Sequence, residues 1–367
     1  MTYKQNYATI QKVFAEGMVS MAKKRRTELS ILNVLFCLLV ILIHIISYPV
    51  SAFLPGTAKY TAVMLPWRLA SFVVQGFVFL SGVKLFLNGK EQKGYIPYLK
   101  GRLKGIIVPY ILCYAVYYAY YMIRYGYPMD ILFFGRHFLL GSLVCHMYFI
   151  PLLFQFDLLF PVWKRLVGKV SGVVFVPFAI VLTLILESHL PTMLSAFFPQ
   201  VNFIYNDRLF TTYVSYWLIG CYVGKNYDAF SDILKKNFKA LSVIYGFVTV
   251  LCALFSYMAF NQLAYVPYMN LWHSVYCLTA IVFLFALAKK IPDSIWARVP
   301  LATDIDKASF YIYLWHMLVL LLTNDVLDRL GIVAQAPGFL IRCVAVYGIT
   351  IFMCVLYTRI KKGKSVT

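Results

Sequence analysis

Six histidines stand out in a chain that otherwise places few ionisable groups inside its apolar runs. His44 lies about 15 residues into the first of these runs, roughly 22 Å along a helix axis, in the outer third of a ~30 Å hydrocarbon core. Asn33 precedes it by three helical turns to within about 20°, so the two side chains share one face. Polar groups at such depth are costly and mark functional sites by default. An imidazole titrates near neutrality, and His44 can therefore take up or release a proton as a general acid or base. The alternative is a histidine that only satisfies a neighbouring helix's carbonyl. His146 and His316, the latter in Tyr313-Leu314-Trp315-His316, are supporting polar candidates with a structural role equally open. His137, His189 and His273 fall at outer span edges and read as interfacial. No two histidines are spaced i, i+4, and the eight cysteines form no CxxC pair, so neither a metal site nor a disulfide framework is expected.

The second chemical feature is cationic. Lys84 ends the run Phe79-Leu80-Ser81-Gly82-Val83-Lys84, and Lys100, Arg102 and Lys104 cluster just before Pro109-Tyr110. Such a cluster suits the phosphates of a ligand; lipid headgroups are an equal claimant. Asp157, beside Gln155, is read as structural and is expected to pair with Lys164 or Arg165. The tyrosines at 114, 117, 118 and 121 form a stripe best explained by helix packing.

The elements that must position these groups follow from composition. Of 367 residues, 62% are hydrophobic and only 13% charged, which excludes a soluble domain, a disordered chain and a nucleic-acid module. Apolar runs near 31–53, 67–87, 105–123, 138–160, 170–187, 210–224, 240–260, 271–288, 309–327 and 338–357 predict an all-α membrane bundle of about ten helices. With that count, 27 of the 34 Lys and Arg residues fall on one side and seven on the other, so both termini are expected in the cytoplasm. The net charge of +20 is thereby mostly an orientation signal. Residues 1–28 form a tail in which Ile10, Val13, Phe14, Met18 and Met21 suit a helix lying on the membrane surface. The bundle is expected over 29–358, followed by a basic tail at 359–367.

Five stretches carry a resemblance to a known family. The first span, Glu28-Leu29-Ser30-Ile31-Leu32-Asn33 through Leu42-Ile43-His44, is followed by Phe77-Val78-Phe79-Leu80-Ser81-Gly82. Next come the basic segment from Arg102 to Tyr110 and the pair His146-Met147-Tyr148-Phe149-Ile150-Pro151 and Tyr311-Ile312-Tyr313-Leu314-Trp315-His316. In this order they resemble the acyltransferase-3 family of integral membrane acyltransferases, over about 28–357. The chain departs from that pattern at Asn33, where many members have arginine, and at Gly105, where a second arginine often closes the inner-loop motif.

The resemblance implies an O-acyltransferase with His44 catalytic. An acyl-CoA, most simply acetyl-CoA, would be the donor substrate, its phosphates held by Arg102, Lys104, Lys100 and Lys84. The acceptor would be a hydroxyl of an envelope polysaccharide or glycolipid outside a bacterial plasma membrane. No permanently bound cofactor and no nucleic-acid partner are expected. A flippase or exporter of a polysaccharide or lipid-linked sugar is the rival, although no matched pair of Gly- or Pro-interrupted helices marks one.

Overall fold

The computed structural model describes residues 26–92, 94–167, 171–197, 206–332 and 335–363. The expected surface helix around Ile10 to Met21, and Lys364, lie outside these residues. Helix α1 spans Thr27–Ala52. Helices α2 (Ala58–Ala70) and α3 (Val73–Leu87) make a second crossing that bends at Ser71. A short α4 (Tyr95–Arg102) runs through a π-helical turn, Leu103–Ile107, into α5 (Val108–Tyr125). Then come α6 (Ile131–Leu140), α7 (Phe149–Leu158), α8 (Phe160–Leu166) and α9 (Gly172–Phe197). The chain continues through α10 (Val214–Lys225), α11 (Tyr227–Lys236), α12 (Phe238–Phe260) and α13 (Met269–Ala288). It closes with α14 (Asp293–Ala297), α15 (Pro300–Arg329) and α16 (Gln335–Gly363).

Eight helical stretches among the described residues are long and apolar enough to cross a bilayer. The two other expected crossings exist as shorter pieces, and the reasons differ. The sixth is a 3-10 turn, Phe210–Tyr213, followed by α10, whose residues are almost all buried by protein. A helix enclosed in this way need not match the lipid thickness. The fourth is broken into α6 and α7. Gly141 caps α6 in the left-handed conformation (φ 57°), and a Cβ there would sit 2.5 Å from the Tyr148 amide nitrogen, so only glycine admits the turn. The link from Gly141 to Tyr148 carries Cys145 and His146.

The chain is thus a multi-pass, all-α membrane protein. Its lipid-facing surface is apolar, as Val243, Ile244, Phe247, Val250 and Leu254 on α12 illustrate. Helices α3 and α10 meet backbone to backbone. A Cβ on Gly82 would lie 2.6 Å from the Trp217 carbonyl oxygen, and Cβ atoms on Gly220 and Gly224 would collide with the carbonyls of Phe79 and Val83. Gly220 and Gly224 form a GxxxG pair, the spacing that permits close helix contact inside membranes.

Charged contacts define two ends. At the basic end Glu28 accepts from Tyr227 and from Lys289 Nζ (3.0 Å), while Arg26 meets Asp228 (3.1 Å) and Arg359 meets Asp304 (2.5 Å). At the opposite end Asp325 accepts from Tyr120 and from Arg124 Nε, both at 2.9 Å, and Arg342 Nε donates to Asn324 Oδ1 (2.7 Å).

Candidate active site: a histidine-lined cavity

Three histidines distant in sequence converge. The His44 ring on α1 is centred 5.2 Å from that of His316 on α15 and 6.1 Å from that of His146 in the α6–α7 link. The His146 and His316 rings are 4.9 Å apart. Although three imidazoles meet, no set of three His, Cys, Asp or Glu among the described residues is arranged to hold a metal ion.

Their hydrogen bonds assign tautomers. His316 Nδ1 faces the carbonyl oxygens of Tyr313 (2.8 Å) and Ile312 (3.1 Å), so Nδ1 carries the proton and Nε2 offers a lone pair. His146 Nε2 faces the Leu314 carbonyl at 3.4 Å, which leaves Nδ1 as its acceptor. Neither His316 Nε2 nor His146 Nδ1 has a partner among the described residues, and both atoms are buried. Among these residues the His44 imidazole has one hydrogen-bond partner, Cys145 Sγ, at 3.6 Å from Nδ1.

The surrounding helices fix these rings. The Tyr313 hydroxyl donates to the His146 carbonyl, tying α15 to the broken crossing. The Tyr117 hydroxyl accepts from the Leu318 amide (2.7 Å) and donates to the Leu314 carbonyl (3.0 Å), two groups that pair with each other in an uninterrupted helix. Cys113 Sγ also points at that carbonyl (3.3 Å). An inserted hydroxyl therefore shapes α15 across the turn that bears His316.

His44 and His146 line a cavity of about 400 Å³ shared with Tyr313, Tyr148 and Cys145. Arg68, Ser71 and His273 also line it. Ser71 donates to the Arg68 carbonyl (2.6 Å) and meets His273 Nε2 at 2.8 Å, joining the α2–α3 bend to α13. His273 is thus buried against the cavity, not at an interface as its position in the sequence suggested.

The other candidates lie toward the basic end and do not line the cavity. Asn33 Nδ2 donates to Asp306 Oδ1 and Ser309 Oγ, both at 2.8 Å, so the polar stripe below His44 closes onto α15. Lys84 is half-buried, with Asp306 within its electrostatic reach. Arg102 Nε donates to Asp157 Oδ2 at 2.7 Å, and Tyr98 donates to the other carboxylate oxygen. The partner of Asp157 is therefore Arg102, because its face of α7 packs on α4, while Lys164 and Arg165 are exposed on α8 beyond the bend. Lys100 and Lys104 are also exposed, beside the chain that leads into α5.

Comparison with known proteins adds the following. The family model for an acyltransferase domain matches residues 26–359. Staphylococcus aureus proteins from strains MSSA476, MRSA252 and MW2, each named "Probable poly-beta-1,6-N-acetyl-D-glucosamine export protein", are 26% identical over 321 residues. Those alignments span 81% of this chain and 83% of each relative. No solved structure matches.

Proposed function

Since the chain belongs to the acyltransferase-3 family, we propose that it transfers an acyl group, acetyl in the simplest case, from acyl-CoA to a carbohydrate hydroxyl. The observation that carries this reading is the placement of His44 on the cavity, beside two buried imidazoles whose acceptor nitrogens have no partner among the described residues. In this scheme His44 takes the proton of the acceptor hydroxyl as its oxygen attacks the thioester carbonyl. Collapse of the adduct expels the thiolate, which recovers that proton from the imidazolium, leaving an ester and free coenzyme A. His316 Nε2, an acceptor within a ring-to-ring distance of 5.2 Å, is suited to stabilise the His44 imidazolium while it exists.

The donor fits the basic end, which we take to face the cytoplasm of a bacterial cell. Lys100, Lys104 and the terminal nitrogens of Arg102 would meet its phosphates, with Lys84 and Asn33 on the route of the thioester arm. The name of the relatives suggests the acceptor class, a β-1,6-linked N-acetyl-D-glucosamine polymer or its glycolipid precursor, reaching the cavity from the other end. A second reading, movement of that polymer across the membrane, draws on the same name and on the broken fourth crossing, since interrupted helices are used by transporters to build sites.

Proteoliposomes given radiolabelled acetyl-CoA on one side and N-acetylglucosamine oligomer on the other separate the two readings. Label on the oligomer, lost in a well-folded His44→Ala protein, is the expected result. Full transfer by that variant overturns the role of His44, and oligomer movement without acetyl-CoA favours transport.

A further inference from the structure

The cavity contains an electrostatic imbalance that acyl transfer alone does not use. Among the described residues, Arg68 is its one Lys or Arg, and no Asp or Glu lines it. The Arg68 guanidinium makes no ion pair among the described residues, and its Nε is buried with no hydrogen-bond partner there. Its aromatic neighbour is Phe260, whose ring centre is 5.6 Å from Cζ and which supplies no counter-charge. A partly buried cation without an anion is expensive, and proteins retain one where a ligand completes the pair. Arg102, Arg124 and Arg359 stand in contrast, since each holds a carboxylate.

The backbone that carries Arg68 is also held in place. Ser71 closes the end of α2 by donating to the Arg68 carbonyl, so its oxygen is available to accept from His273 Nε2 on α13. This contact fixes the last turn of α2 against a neighbouring helix. A guanidinium with a forked set of N–H donors, displayed from a fixed turn into a cavity of about 400 Å³, matches the oxygens of a phosphate or carboxylate.

We infer that the Arg68 end of the cavity is an oxyanion site for the substrate that enters from the end opposite Glu28 and Lys289. The anionic group is a phosphate or a carboxylate carried by that substrate. Its use as a handle that presents a hydroxyl to His44 rests on the acyl-transfer reading; the binding itself does not. Ser71 and His273 are positioning residues for this site.

The test is a thermal-shift titration of the full chain in neutral detergent, without acyl donor. Farnesyl phosphate supplies a lipid phosphate and a glucuronate-containing disaccharide supplies a sugar carboxylate, with farnesol and a neutral N-acetylglucosamine disaccharide as uncharged controls. At least one anion is expected to raise Tm by clearly more than its uncharged control, which can bind through its neutral groups alone. In Arg68→Gln its affinity falls about tenfold or more, the loss expected for a charged hydrogen bond, and Arg68→Lys retains part of it. His44→Ala is expected to bind the anion as the unaltered chain does, so failure of acyl transfer and failure of the anion site are read separately. If Arg68→Gln folds poorly, Ser71→Ala serves instead, with a fall of a few-fold. Unchanged affinity in the variants, or no shift with either anion, overturns the proposal. An equal Arg68-dependent shift with phosphatidylglycerol assigns the site to bilayer headgroups and overturns the substrate assignment. An Arg68-dependent shift with coenzyme A overturns it in favour of the donor.

Discussion

Arg102 and Arg68 are both half-buried arginines of the bundle, yet their surroundings are opposite. Arg102 is bonded to an Asp157 carboxylate that is 1% exposed and is shared with Tyr98, so its charge is spent within the fold. Arg68 faces a cavity with no carboxylate. The first arrangement joins α4 to α7 through Nε and leaves only the terminal guanidinium nitrogens for a ligand. The second leaves its capacity open. Charge alone therefore says little about function in this protein; what matters is whether the protein itself has supplied the counter-charge.

This contrast can be broken experimentally. Arg102→Ala leaves Asp157 buried without its partner, and a loss of about 3–5 kcal/mol is expected, visible as a large drop in Tm and in yield. A normal Tm with impaired acyl-CoA binding would instead make Arg102 a ligand group. His44→Ala should leave Tm nearly unchanged while transfer falls by about 10²–10⁴-fold, a loss in kcat with the anion site intact. Gly141→Ala forces a side chain into the Tyr148 backbone from a left-handed position, costing about 1–3 kcal/mol; transfer should fall with it as His146 shifts. Tyr117→Phe strips the hydroxyl that bridges Leu314 and Leu318, a cost of about 1–2 kcal/mol, with a smaller fall in kcat. Lys104→Ala, an exposed site, should raise the KM for acyl-CoA a few-fold with kcat unchanged, an effect that shrinks as salt rises.

Much of the architecture was legible in the sequence because lipid imposes one rule on every crossing, a run of about 20 apolar residues. That rule located eight long helices and failed where protein replaces lipid as the surroundings. Helix α10 can be shorter than a bilayer because other helices bury it, and the fourth crossing is broken at Gly141, whose turn packs so closely on the Tyr148 backbone that a Cβ would collide with it, a contact no local pattern encodes. His44, His146 and His316 were visible as polar groups in apolar runs. Their convergence was not, since it depends on which helices are neighbours. Tyr117 belonged to a stripe read as packing; three of its members, Tyr114, Tyr117 and Tyr118, are indeed buried, yet the hydroxyl of one has a second role that only contact with α15 reveals. Asp157 was read as structural but given the wrong partner, and Arg68 was only one of seven basic residues on the less basic side. The signal available for Arg68 was its position three residues before Ser71, just ahead of a bend.

The glycine seam between α3 and α10 has a mechanical consequence. With Gly82, Gly220 and Gly224 in backbone contact, no acyl tail or water can wedge between these helices, and neither can slide without its carbonyls meeting the other's backbone. The pair behaves as one stiff strut. Any rearrangement that admits a bulky substrate to the cavity therefore leaves this pair of helices together.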